Sequence, residues 1–300
     1  MEMSSSGSEF HQGEMDRPRR ARCPAASGRD STRPGRRPKL PTRPISGNLA
    51  RVTTLYDHPE YYDILFGWDR DAEAQSYDQA LLDCGVERGS RVLEVAAGTA
   101  QIGVRLASMG WHVTALDVSE AMLEFAFRRY QRVGLRLGTL AADMSSFTSV
   151  EKFDGAVNPM SSFRILHDDA EVAAHLKCMA DVIVPGGVYL IDSTFGTDGS
   201  PESDLDEWVM ERDQIIVTAT TRDIHVEDGP RHLSLRLDWP DALRPYTPVS
   251  FASAIDQNDF AIAGCYLDIG PGDDDVSRFS PTVAGDLPSA GRAIVVLSRV

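Results

Sequence analysis

This chain has few cysteines and no spacing that would put them to work. Cys23, Cys84, Cys178 and Cys265 are scattered over 300 residues, and no pair has the interval of a zinc ligand set or a redox motif. A disulfide framework and a metal site are therefore not expected, and a reducing, cytoplasmic compartment is. Cys178 and Cys265 sit in apolar contexts and read as small core residues. Long apolar runs are missing too: none approaches the ~20 residues that span a bilayer. The first residues lack an apolar core followed by a small-residue cleavage site, so secretion is not expected either. Positive charge is scarce beyond the start. The net charge is −15, and ten Lys/Arg against five Asp/Glu in residues 1–50 leave the other 250 residues near −20. A body this acidic repels phosphate backbones, which makes nucleic acid a poor substrate.

What is present is ordinary for a globular protein, with 42% hydrophobic and 25% charged residues. Residues 1–50 are a basic Pro/Arg-rich tail without apolar periodicity and are expected to be disordered. Folded structure is expected over 51–300, beginning near Tyr56. Strands at 91–96, 112–116, 136–141, 153–158 and 187–193 alternate with helices at 101–109, 119–132 and 169–182, after a helix at 72–84. Such alternation implies right-handed crossovers and a mostly parallel sheet covered on both faces. Ser119 reads as a helix N-cap, and Pro185-Gly186-Gly187 as the stop and turn after helix 169–182. The pattern then changes to alternating polar and apolar residues over 214–226 and 231–239. These flank Glu227-Asp228-Gly229-Pro230 and read as an antiparallel hairpin. Thr247-Pro248 fits the start of a helix over 249–257, and strands at 260–268 and 293–299 close the chain. The fold class expected is α/β: a Rossmann-like, seven-stranded, mostly parallel sheet with an antiparallel lid inserted at about 200–245.

The chemistry concentrates at Glu94-Val95-Ala96-Ala97-Gly98-Thr99-Ala100, a strand running through an acid into a small-residue turn before a helix. The next strand ends in Asp117. Small residues let a ligand approach the backbone, and an acid at a strand tip can accept bonds from a ribose diol. Only Gly98 and Gly103 are available, at the wrong interval for G-x-G-x-x-G, which disfavours a dinucleotide. Three further features follow in order: Asp143 just after the third strand; Phe153 to Val157 leading into Asn158-Pro159-Met160-Ser161-Ser162-Phe163; and Pro185-Gly186-Gly187 before the fifth strand.

On these residues the chain resembles the class I S-adenosylmethionine-dependent methyltransferases, closely over 56–196 and more loosely from Tyr246. The resemblance implies S-adenosyl-L-methionine as cofactor. It implies that Glu94, Ala96, Gly98 and Thr99 sit beside the methionine moiety. Asp117 would bind the ribose hydroxyls, with Val118 and Met122 near the adenine. Asp143 would meet the adenine amino group and Met144 would flank the ring. Asn158 would lie where cofactor and acceptor meet. Tyr61-Tyr62-Asp63 is similar to the N-terminal helix of the small-molecule group, whose tyrosine folds over the cofactor; this makes Tyr62 a cofactor contact and a wall of the methyl pocket. Two departures stand out: Glu94 replaces the family's usual Asp, and Ala96 and Ala100 replace glycines, adding methyl groups where positive φ is costly.

The reaction implied is methyl transfer to a small molecule, an amine or else a hydroxyl, by in-line displacement in a water-excluded pocket. His167 is the candidate base and Arg164 the candidate clamp for an acidic substrate group, each set against a solvated or locally paired role. Trp208, Trp239 and Tyr246 are candidates to line the acceptor pocket, or simply packing residues. His225 and His232 flank a hairpin turn and could face each other, but they lack the partners of a metal site. The partner expected is a small-molecule acceptor, with no nucleic acid and no membrane; the sequence is compatible with a homodimer. A non-catalytic cofactor-binding or regulatory protein with a degenerate pocket is the alternative, and a nucleic-acid methyltransferase steered by the basic tail a weaker one.

Overall fold

The structure is a computed structural model and describes residues 54–196, 208–220, 223–236, 243–256, 258–271, 277–281 and 287–300. The tail at 1–50 and Trp239 lie outside the described residues. Two helices come first, α1 (Pro59–Leu65) and α2 (Asp71–Asp83). Next comes the alternating unit: β1 (Arg91–Val95), α3 (Gln101–Ser108), β2 (His112–Asp117), α4 (Glu120–Arg132), β3 (Gly138–Ala141), β4 (Phe153–Asn158), α5 (Asp169–Val182) and β5 (Ile183–Phe195). Antiparallel strands follow: β6 (Trp208–Arg212), β7 (Ile215–Thr220), β8 (Asp223–Asp228) and β9 (Arg231–Arg236). The chain closes with α6 (Pro248–Ile255), β10 (Phe260–Pro271), β11 (Ser277–Pro281) and β12 (Gly291–Arg299).

The main sheet runs β11-β10-β12-β5-β4-β1-β2-β3. Its five central and right-hand strands are parallel, while β12, β10 and β11 add antiparallel pairings. The α/β class is the one expected, with an eighth strand, β11, at the edge. Apolar residues on both faces of β1, β4 and β5 feed two clusters, one against α2, α3 and α4 and the other against α5 and α6. Burial on both faces explains why these strands read as continuous apolar runs. The N-caps fall where the sequence placed them: Ser119 Oγ accepts from Met122 N at 3.3 Å, and Thr247 Oγ1 from Ser250 N at 3.1 Å.

Two expectations need correction. Pro185-Gly186-Gly187 is not a turn between helix and strand. The helix stops at Val182, and the triplet lies inside β5 as a bulge: Phe153 pairs with Ile183, but Gly155 pairs with Val188. Gly186 supplies the positive φ of 79° that the bulge uses. The expected hairpin over 214–239 is instead a four-stranded meander, β6-β7-β8-β9. Its first long strand divides into β7 and β8, which pair with each other.

This second sheet is not free-standing. Its buried residues Val217, Ala219, Ile224, Val226 and Leu235 form one cluster with Tyr61, Ile64 and Leu65 of α1 and with Phe66 just after it. Tyr61 also donates its hydroxyl to Asp228 at 3.1 Å. An antiparallel sheet with one apolar face needs such a cover, and α1 provides it.

Candidate active site

The turn after β1 is built against the preference of its own residues. Ala96, Gly98 and Ala100 all take left-handed backbone, with φ of 51°, 53° and 51°. For a non-glycine residue this costs roughly 1–2 kcal/mol each. The turn is held by Ala97 N to Leu116 O at 3.0 Å, Ala100 N to Ala97 O at 2.8 Å, and Gly98 N to Asp117 Oδ2 at 2.7 Å. The methyl of Ala100 is buried in the core rather than aimed at the pocket, so the departure from glycine adds strain without filling the ligand's space there.

Glu94 lies under this turn. Its Oε1 accepts from Gly103 N at 3.1 Å, and its buried Oε2 has no partner among the described residues. Burial pushes the carboxyl up to about 8, against the opposing pull of the Gly103 amide and Arg129. A Cβ on Gly103 would run into the Glu94 carboxylate and the Tyr130 hydroxyl. Close approach therefore requires glycine at this position.

A pocket opens above the turn. One wall is Glu94, Ala96, Ala97 and Thr99; the facing wall is Tyr62, Pro159, Met160 and Ser162. The Tyr62 ring reaches across so that a Cβ on Gly98 would touch it at 3.5 Å, and burial raises its hydroxyl pKa. Met160 and Ser161, in the loop after β4, are a second pair of left-handed non-glycine residues, with φ of 59° and 54°. Asp192 Oδ2 anchors this loop by accepting from Ser161 N at 3.1 Å.

The remaining expected cofactor residues are not among those that line this pocket. Asp117 sits at the tip of β2; its Oδ1 accepts from Ser119 N at 2.8 Å, and burial raises its carboxyl despite the Ser119 and Gly98 amides. Val118 is 74% exposed beside it, and Met122 is buried. Asp143 is exposed, and Ser145 holds its carboxyl below the usual range through hydroxyl and amide donors at 2.6 and 2.7 Å. The Met144 carbonyl bonds His175 Nδ1 at 2.8 Å, while His175 Nε2 pairs with the Tyr189 hydroxyl at 2.9 Å. Burial pulls this imidazole down to about 4, so it stays neutral while it props the loop. Asn158 is fully buried at the end of β4, beside the Tyr189 hydroxyl.

The two polar candidates for the chemistry are not at the pocket. His167 is exposed, and its backbone amide is taken by Glu171 at 2.7 Å. Arg164 is buried, with its Nε donating to the Arg244 carbonyl at 3.0 Å, and the Arg244 amide returns a bond to the Arg164 carbonyl at 2.8 Å. It staples two segments together. Tyr246 packs between Phe163 and Phe251 in the core. The side chain of Trp208 lies outside the described residues. The register sets His225 opposite Ser234, and His232 opposite Glu227, so the two histidines do not face each other. No cluster of metal-ligating side chains occurs among the described residues.

Sequence reasoning missed Arg70. It is fully buried, stacked 4.3 Å from the Trp68 ring centroid, and paired through Nη1 with Glu73 at 2.7 Å. Its Nε and Nη2 are buried without hydrogen-bond partners among the described residues, and its charge is felt at both Tyr62 and Glu94. Burial alone would raise the Glu73 carboxyl, but Arg70 and Arg292 together pull it below its usual value. Arg292 continues the chain to Asp192 at 2.7 Å. A buried row Arg70–Glu73–Arg292–Asp192 thus runs from beside Trp68 to the Ser161 loop. The signal in sequence was slight: an isolated arginine after an exposed Trp-Asp pair belongs to no motif.

Arg70 keeps two buried nitrogens without a hydrogen-bond partner among the described residues, and Asp117 presents a carboxylate at a strand tip, where the Gly98 and Ser119 amides already donate to it. This donor set fits a zwitterionic, ribose-bearing cofactor, with Arg70 suited to a carboxylate and Asp117 to a diol.

Residues 92–187 match the family model of a methyltransferase domain. A Streptomyces venezuelae dTDP-3-amino-3,4,6-trideoxy-alpha-D-glucopyranose N,N-dimethyltransferase is 30% identical over 155 residues, covering 51% of this chain and 62% of that protein. A Saccharopolyspora spinosa dTDP-4-amino-2,3,4,6-tetradeoxy-D-glucose N,N-dimethyltransferase is 23% identical over 73% of this chain and 88% of its own length. Several curated relatives are matched over only about half to three-fifths of their length, 48–62%. In structure, an S-adenosylmethionine-dependent methyltransferase from Clostridium acetobutylicum superimposes with a TM-score of 0.61 at 15% identity, covering 80% of this chain and 96% of that one.

Proposed function

We propose, for a chain whose residues 92–187 form a methyltransferase domain of the class I, S-adenosylmethionine-dependent fold, that it methylates the nitrogen of a small-molecule amine. The observation that carries the reading is the strained turn 96–100 on the wall of one pocket, with Asp117 bonded to its Gly98 amide and the Arg70 charge felt at the pocket residues Tyr62 and Glu94. The amine is favoured because two relatives are named as amino-sugar N,N-dimethyltransferases. S-adenosylmethionine, when bound, supplies a methyl group already activated on a sulfonium sulfur.

The work left to the protein is then positioning and exclusion of water. Asp117 would hold the ribose hydroxyls of the cofactor and Arg70 its carboxylate. Tyr62 closes the methyl side of the pocket, with its phenol kept protonated by burial. Pro159, Met160 and Ser162 shape the acceptor wall. A neutral amine attacks without a dedicated base and loses its proton to solvent afterwards, which suits a pocket that lacks His167. The antiparallel sheet acts as a lid by way of α1, on which Tyr62 rides. No described helix is long and apolar enough to cross a membrane.

Calorimetry with S-adenosylmethionine tests the first half of the reading. Asp117→Ala should weaken binding about 100-fold, the loss of two charge-assisted hydrogen bonds at ~1.5 kcal/mol each. Release of S-adenosylhomocysteine across a panel of amino sugars, amines, phenols and carboxylates tests the second. Absence of binding by the unmodified protein at millimolar cofactor would remove the enzyme reading and leave a regulatory one.

A further inference from the structure

Asp63 gathers more donors than any other carboxylate described. Thr99 Oγ1 and Gln101 Nε2 reach its Oδ1 at 3.0 Å each, and Arg129 pairs with the same oxygen. Arg212 Nη1 reaches Oδ2 at 2.7 Å, and Arg212 Nη2 donates to the Asp63 backbone carbonyl at 2.8 Å. Five elements meet at this one side chain: α1, the pocket turn, α3, α4 and, through Arg212, strand β6 of the second sheet.

Neutralising a buried carboxylate needs one cation, and Arg129 supplies it. Arg212 is the surplus, with 42% of its side chain exposed to solvent. Its second bond falls on a carbonyl of the last turn of α1, a group that has no intrahelical partner. The chain also makes room for it. A Cβ on Gly67 would collide with Arg212 Nη2 and the Asp63 carbonyl. Gly67 does not have a positive φ, so glycine is required there for space and not for backbone conformation.

We propose that Asp63 and Arg212 form a clasp by which the antiparallel sheet positions the pocket. Asp63 is a positioning residue for Thr99 and, through α1, for its neighbour Tyr62; Arg212 is its anchor on the sheet. A change that moves the sheet is transmitted to both walls of the pocket at once, because Thr99 lines one and Tyr62 the other. The clasp itself stands on the contacts above, and its effect on ligand affinity rests on the methyltransferase reading.

Amide hydrogen exchange on the full chain separates these two layers. In Arg212→Ala, amides of 61–66 and 97–103 should exchange at least tenfold faster while those of β4 and β5 keep their rates. Gly67→Ala retains the arginine but blocks its seat, and should give the same local pattern. Arg212→Lys restores one of the two bonds and should fall between. The dissociation constant for S-adenosylhomocysteine should rise about tenfold in Arg212→Ala and Gly67→Ala, with partial recovery in Arg212→Lys, and thermal unfolding should shift little. Unchanged exchange at 97–103 in either variant overturns the clasp, as does uniform acceleration throughout the domain. If the unmodified protein fails to bind S-adenosylhomocysteine while the local exchange pattern appears, the clasp stands and the methyltransferase reading fails.

Discussion

The two walls of the pocket are assembled by different means. One is a single run, Glu94 to Gly103, whose geometry is set by bonds between near neighbours and by the adjacent strand tip at Asp117. The other brings Tyr62 from α1 together with the 159–162 loop, and its supports lie far away in sequence: Asp192 under Ser161, then Arg292, Glu73 and Arg70. Both walls contain paired left-handed residues that are not glycine. The first tolerates them because a strand and a helix bracket the turn within the core. The second tolerates them because buried charge fixes the loop from below. Local support makes a wall that is rigid by itself, whereas remote support makes one that responds to changes elsewhere.

The comparison can be broken most forcefully at Asp192. Asp192→Ala leaves Arg292 short of one buried partner and the Ser161 amide without its acceptor. Breaking a buried pair from one side costs about 3–5 kcal/mol, to be read from urea unfolding. A loss below ~1 kcal/mol would mean that the second wall does not depend on its charge row.

The first wall carries a pH signature of its own. The folded state holds the Glu94 proton up to about 8, whereas the free side chain releases it near 4.5. The folded protein therefore binds more protons than the unfolded chain across that window, and this contribution to stability is lost as pH rises through it. Glu94→Gln should flatten the decline between pH 4.5 and 8. Equal slopes in the two proteins would exclude a buried neutral carboxyl. His175 acts in the opposite sense: its contribution is present above about pH 6.5 and is lost as pH falls toward 4.

Gly103→Ala probes packing in the same wall. Its methyl would have to displace Glu94 or Tyr130, and overpacking of this kind costs about 1–3 kcal/mol. The smallest effect has the opposite sign. Ala96→Gly or Ala100→Gly should stabilise the protein by roughly 0.5–1 kcal/mol, as left-handed strain outweighs the added chain entropy. Thermal melts of the two single variants would show it, and destabilisation in both would mean that the turn does not hold its left-handed geometry in solution.

What could be read from the sequence follows the same division. The β1 turn, Asp117, and the caps at Ser119 and Thr247 were legible because each depends on neighbours within a few residues. Pro185-Gly186-Gly187 misled because its turn composition is used inside β5, where pairing with β4 overrides local preference. His167 stands next to the acceptor loop in sequence but points to solvent. Arg70 belongs to no pattern; only its burial, with two nitrogens left without partners among the described residues, marks it. The union of α1 with the second sheet was likewise hidden, since each had been legible separately but neither announces its partner.

That union has a consequence for biosynthesis. Tyr61 meets Asp228 across 167 positions of chain. At about 5–20 residues per second, a ribosome needs roughly 8–33 s to make that interval. Throughout it, the apolar side of α1 has been made but its covering sheet has not. The parallel strands through β5 are synthesised first, so the nascent protein passes through a stage in which these strands are made, with β12 still missing beside β5, while Tyr61, Ile64 and Leu65 await their cover. Translation that stalls before residue 236 would leave that surface available to chaperones, and a truncated product would display it permanently.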